Sequence, residues 1–162
     1  MPLCQSESFG EICSNMYLTA LSGSPTNLTL LLAYSITPTT SRQFSNSRRQ
    51  TSYAIANLKD GSVTYLKALS YAHEEDPRPL STPRLRLLPK EKICFVTFPD
   101  LVIATFMDTS LSFEESVALK DAAKDRLIGT TTSGDSSLIM LAAHTGLLKL
   151  DINVSHIKSL AS

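Results

Sequence analysis

Short apolar runs recur along this chain in pairs, and residues that force a tight turn split each pair. Tyr53-Ala54-Ile55-Ala56-Asn57-Leu58 and Val63-Thr64-Tyr65-Leu66 flank Lys59-Asp60-Gly61. Asp-Gly is a strong local hairpin signal, because glycine accepts the positive φ that a two-residue turn needs. Ile93–Phe98 and Leu101–Phe106 flank Pro99-Asp100 in the same way, and Leu138–Ala142 and Leu147–Leu150 flank a turn containing Gly146. Runs this short, bounded by Gly, Pro and Asp, predict strands rather than helices. A chain of successive hairpins must fold as antiparallel sheets.

The remaining segments fit the same scheme. Met16–Leu21 is a strand closed by Ser22-Gly23-Ser24-Pro25. Leu28–Ile36 is apolar on both faces, which predicts a central, buried strand. Thr37–Ser52 reads as a long loop rich in Ser, Thr, Arg and Asn, and a loop of that length is a candidate for function. His73–Pro83, with Glu74-Glu75-Asp76 and three prolines, reads as a connector. Arg84–Leu88 reads as a short edge strand. Two readings stand open over 114–126. Ser112-Phe113-Glu114-Glu115 has the form of a capping box, and the following residues are helix formers. Against that, a strand over Glu115–Leu119 with a charged turn at Lys120–Asp125 would complete the second strand group. The groups recur at about 40 to 50 residues, the blade period of a β-propeller, and that period favours the strand.

Composition narrows the function classes. At 162 residues the chain is expected to be one domain, long enough to build a core without disulfides or metal. Lys+Arg and Asp+Glu are 15 each, which removes the usual electrostatic reason to propose nucleic acid as a partner. Only 19% of residues are charged, and low charge with zero net charge favours association. Cys4, Cys13 and Cys94 form no C-x-x-C and are expected to be free thiols. The longest apolar stretch, Leu28–Ile36, is about half of what a spanning helix needs. The N-terminus lacks a basic region followed by an apolar core, so the sequons at Asn27 and Asn153 are expected to be unglycosylated.

The last third carries a resemblance. Glu115–Leu119, then Lys124-Asp125-Arg126-Leu127-Ile128-Gly129, then Ser137–Leu141, then His144-Thr145-Gly146-Leu147-Leu148 resembles the final blade of a nucleoporin propeller. The family is the outer-ring subunit at the stem tip of the Y-shaped nuclear pore scaffold, and the N-terminal β-propeller is the part matched. Met16–Leu21, Leu28–Ile36 and Ile93–Phe106 fit earlier strands in order. The resemblance implies an all-β chain, a partial β-propeller of about three four-stranded antiparallel blades over 1–154, with a C-terminal tail at 155–162. It implies a structural, non-enzymatic component of the pore scaffold at the nuclear envelope. Its partners would be other scaffold nucleoporins, and transport of protein and mRNA would depend on the assembled ring. No cofactor, metal, small-molecule substrate or direct membrane insertion is expected. A whole propeller needs about four to eight blades, so the chain is expected to be a slice or a truncated relative. The alternatives are an inner-ring relative of similar plan and a free-standing β-rich adaptor unrelated to pores.

Candidate chemistry is sparse. A nucleophile needs a neighbouring base, and the candidate pair is Cys94 with His144, against a structural cysteine and a turn histidine. His73, Glu74, Glu75 and Asp76 could be offered as a metal site, but adjacent residues are poorly spaced for one. Gly129-Thr130-Thr131-Thr132-Ser133-Gly134 lacks the lysine of a phosphate loop and reads as a strand end and turn. Arg42, Arg48 and Arg49 make a basic loop, suited to an acidic partner, to RNA or to a kinase. With Arg48-Arg49 three and two residues upstream, Thr51 is the candidate phosphosite. Ser24-Pro25, Thr37-Pro38 and Thr82-Pro83 are candidate proline-directed sites, equally explained as turns.

Overall fold

The computed structural model describes residues 13–36, 50–74, 83–108 and 111–160. The strands are β1 (Cys13–Ser24), β2 (Asn27–Ile36), β3 (Gln50–Lys59), β4 (Ser62–Glu74), β5 (Arg84–Leu88), β6 (Ile93–Thr97), β7 (Leu101–Phe106), β8 (Glu114–Ala118), β9 (Leu127–Ser133), β10 (Ser137–Ala142) and β11 (Gly146–Asp151). A short helix, α1 (Val154–Leu160), follows. The chain is all-β, in three antiparallel sheets ordered β1-β2-β3-β4, β5-β6-β7-β8 and β11-β10-β9. Each sheet is an up-and-down meander, the connectivity expected of a blade. The third has three described strands rather than the four expected, because the chain turns into α1 after β11 instead of adding an outer strand.

The chain divides into two compact units, Met1–Leu80 and Ser81–Ser162, where the sequence reading treats 1–154 as one body. The first unit holds the first sheet. Its β3–β4 hairpin turns at Asp60 (φ 50°) and Gly61 (φ 81°), two successive positive angles that match the twist of the flanking strands. The Asp60 N–H donates to Thr26 O at 2.9 Å, joining this turn to that of the β1–β2 hairpin. Leu31–Ser35 and Thr51–Ala56 are buried without alternation, as expected of central strands apolar on both faces. Asn57 Nδ2 donates to Asn27 Oδ1 (2.9 Å), and Thr64 Oγ1 donates to Asn57 Oδ1 (2.7 Å), so a polar ladder crosses β2, β3 and β4.

Two expectations for this unit need correction. β3 starts at Gln50, so the last three residues of the expected Thr37–Ser52 loop belong to a strand. β4 runs on to Glu74, so His73 is a strand residue rather than the start of a connector. The reason lies in the alternation of β4: Tyr65, Lys67, Leu69, Tyr71 and His73 share one face, and their even-numbered neighbours are exposed. The Tyr53 and Tyr71 rings stack at 6.2 Å, and Tyr53 Oη lies 2.6 Å from His73 Nε2.

The second unit holds the other two sheets and α1. Ile93–Thr97 of β6 is buried throughout, and β7 is buried from Val102 to Phe106. One face of these strands, carrying Ile93, Phe95, Val102, Ala104 and Phe106, packs against Leu138 and Met140 of β10. Burying one such side chain contributes ~1.5–3 kcal/mol, so this cluster dominates the unit. Arg86 Nε donates to Thr130 O at 3.2 Å, fastening β5 to β9.

β8 settles the open reading over 114–126. Glu114–Ala118 pairs with β7 from Thr105↔Glu114 to Leu101↔Ala118, and a turn follows at 120–124. The ladder with β7 outweighs helix propensity, a weak prior that tertiary pairing overrides. Thr105 Oγ1 donates to Phe113 O at 2.8 Å, and Phe106 meets Phe113 edge to face at 5.7 Å. These contacts fix the entry to β8.

Candidate protein-interaction groove

A groove of about 370 Å³ lies in the second unit, between β8 and the chain that leaves β11. Ala104, Phe113, Glu115 and Val117 line one side. Leu150, Asp151, Ile152 and Asn153 line the other, continued by His156, Ile157 and Leu160 of α1. Glu115 pairs with Ala104 and Val117 with Val102, so period-two alternation puts both on the β8 face that looks toward the core. β8 is an edge strand, so that face is only partly covered: Val117 is 46% exposed.

The far wall is held by short, specific contacts. Seven residues make a marginal helix in water, so α1 depends on its anchors. Asn153 caps it: Oδ1 accepts from the His156 N–H at 3.0 Å. Val154 and Ile157 pack on the core cluster, and Lys158 Nζ reaches Glu91 Oε2 at 3.0 Å. Leu160 remains 73% exposed at the groove mouth. Asp151 accepts from Ser137 Oγ and meets Lys149 Nζ at 3.2 Å, and these two contacts, the hydroxyl first, hold its carboxyl below the ordinary range.

Asp125 fixes the turn that leads into β11. Its carboxylate accepts from Thr145 Oγ1, from the His144 N–H (2.8 Å), from the Thr145 N–H (3.1 Å) and from the Arg126 N–H (2.9 Å). With Thr145 as the strongest donor, the carboxyl is pulled down to about 2. Gly146 then takes φ 87° and opens β11.

The residues singled out from sequence fall elsewhere. Cys94 is fully buried in β6, and burial pushes its thiol up to about 12, so it is protonated and a poor nucleophile. His144 is exposed at the β10–β11 turn, and no hydrogen bond joins it to Cys94 among the described residues. Thr51 is 5% exposed within β3, paired with Ser35 and His73, so the fold does not display its hydroxyl as a loop phosphosite would be displayed. Arg42, Arg48 and Arg49 lie outside the described residues, as do Glu75, Asp76, Thr37, Thr82 and Cys4. The side chains of Glu74 and Cys13 are likewise outside the description. Ser24 is exposed beside its turn, with Oγ 3.3 Å from Thr26 Oγ1. Gly129–Ser133 runs along β9 and Gly134 turns, as expected. Asn27 is a rung of the polar ladder, and Asn153 is a helix cap. Among the described residues no group of three or more His, Cys, Asp or Glu could hold a metal ion. In the same residues no helix is long and apolar enough to cross a membrane.

Sequence reading missed the groove because residues from three separate segments build it. Its one legible trace is the spacing of Ile157 and Leu160, three residues apart in the expected tail. No known family model matches the chain, and no curated protein matches it significantly.

Proposed function

We propose that this chain is a structural component that works by presenting sheet edges and loops to other proteins. The specific reading is a part of an outer-ring nucleoporin propeller in the nuclear pore scaffold, supporting transport of protein and mRNA. One observation carries it: β8 is the outer strand of a four-stranded meander, the place the blade period assigns it. The three consecutive meanders support the same reading, while the segment from Glu115 to Leu148 that resembles one final blade is divided, with Glu114–Ala118 in the second sheet and β9 to β11 forming the third. In this reading the buried central strands supply rigidity, and recognition belongs to edges and loops on a stable frame.

The test is native pull-down of the tagged chain from nucleated cells with mass spectrometry, alongside its location by fluorescence. Recovery of Y-scaffold subunits with a signal at the nuclear rim is the expected result. Recovery of inner-ring subunits instead would move the chain to the related family. Recovery of neither would make it an adaptor unrelated to pores.

A further inference from the structure

The groove beside β8 sets an open sheet edge next to an apolar slot. β8 pairs with β7 on one side, and no described strand lies along its other side. Alternate residues of an edge strand direct N–H and C=O away from the sheet, where a second chain can bond them. Glu115 and Val117 share the face that lines the groove, two residues and therefore about 7 Å apart. A strand added along β8 would place its own alternate side chains beside these two, within the slot that Ile157 and Leu160 complete.

We propose that this edge binds an extended, basic–apolar segment of a partner protein by strand addition. An apolar side chain sits between Val117 and Leu160, and a lysine or arginine two residues away sits beside Glu115. Charge selects this occupant. Two copies of this five-residue edge paired antiparallel about Ser116 would set Glu115 against Val117 and Glu114 against Ala118, so neither carboxylate would meet a cation. Such charges are how edges avoid pairing with themselves. Glu115 has no cationic partner among the described residues, whereas Asp151 on the opposite wall already meets Lys149, so Glu115 is the carboxylate the slot offers. Main-chain bonds along β8 supply affinity without sequence preference, while the slot and Glu115 supply specificity. The inference concerns one edge and does not rest on the nuclear pore reading.

The probe is a fluorescein-labelled peptide, Thr-Lys-Thr-Val-Thr-Lys-Thr, titrated with the full chain by fluorescence anisotropy. A peptide with Glu for both Lys is the charge control. The Lys peptide should bind saturably and more weakly as salt rises. Glu115→Lys should weaken it by about tenfold and reverse the preference in favour of the Glu peptide. Val117→Asp should also weaken it. Leu147→Asp, on a side chain 74% exposed on another sheet, should leave it unchanged. Glu115 and Val117 are exposed, and circular dichroism verifies that the variants fold. Absence of saturable binding up to about 1 mM would overturn the proposal. So would equal binding of the two peptides, or equal loss in the Leu147→Asp control. Sedimentation showing a dimer that Val117→Asp abolishes would also overturn it, by making a second copy the occupant.

Discussion

Replacing Leu138 by alanine tests which face of the third sheet forms the core. Leu138 has no solvent exposure and touches the cluster built by Ile93, Phe95 and Phe106. The change deletes three carbons. At ~0.8 kcal/mol per buried methylene the lost transfer energy is about 2.4 kcal/mol. A cavity that neighbours only partly fill raises this to ~3–4 kcal/mol. Leu147 gives the control. It pairs with Leu141 on the opposite face, so Leu147→Ala should stay within about 0.5 kcal/mol of the parent. For a unit of this size, ~3 kcal/mol lowers the thermal midpoint by ~12–24 °C. Differential scanning calorimetry, with urea unfolding followed by far-ultraviolet circular dichroism, reads both numbers. Equal effects from the two variants would refute the assignment of faces. So would a loss below about 1 kcal/mol in Leu138→Ala.

Other measurements probe the turns, the carboxylates and the thiol. Gly61→Ala should cost ~1–2 kcal/mol in urea unfolding, from the left-handed backbone alone, since nothing lies within 4 Å of an added Cβ. Gly23→Ala should cost more, because its φ is 121° and its Cβ would stand 2.3 Å from Asn27 O. Asp125 titrates near 2 in the folded chain against an ordinary 3.8, so its contribution is complete above about pH 4. That contribution is lost as pH falls through about 2, and Asp125→Asn should flatten the decline of the urea midpoint across this window. Cys94 should resist a thiol reagent at neutral pH in the native chain and react once urea unfolds it, as peptide mapping would show.

Much of the fold was legible because its signals are local. Asp60-Gly61 marked a hairpin from two residues, and Leu28–Ile36 announced its double burial by lacking polar alternation. Signals failed where a contact across the sheet decided the outcome. Thr51 and Ser52 look like loop residues, yet pairing with Ser35 and Tyr34 draws them into β3. His73 looked like connector because acids and prolines follow it, but its alternation belongs to Tyr65–Tyr71. Glu114–Arg126 has helix-forming composition, and only the unpaired side of β7 determines that its first part is a strand. The groove was the least visible element. Its walls come from β7, β8 and the β11–α1 segment, and no single stretch of sequence shows that they meet.

The stacked tyrosines of the first sheet divide the molecule optically. All five tyrosines, at positions 17, 34, 53, 65 and 71, fall within the first unit, and the chain has no tryptophan. The second unit carries Phe95, Phe98, Phe106 and Phe113 as its aromatic side chains besides histidine. Emission excited at tyrosine wavelengths therefore follows β1 to β4 alone. Calorimetry follows the whole chain, so any transition it records without a matching change in emission belongs to β5 to β11 and α1. One sample, unlabelled, reports whether the two halves melt together or in turn.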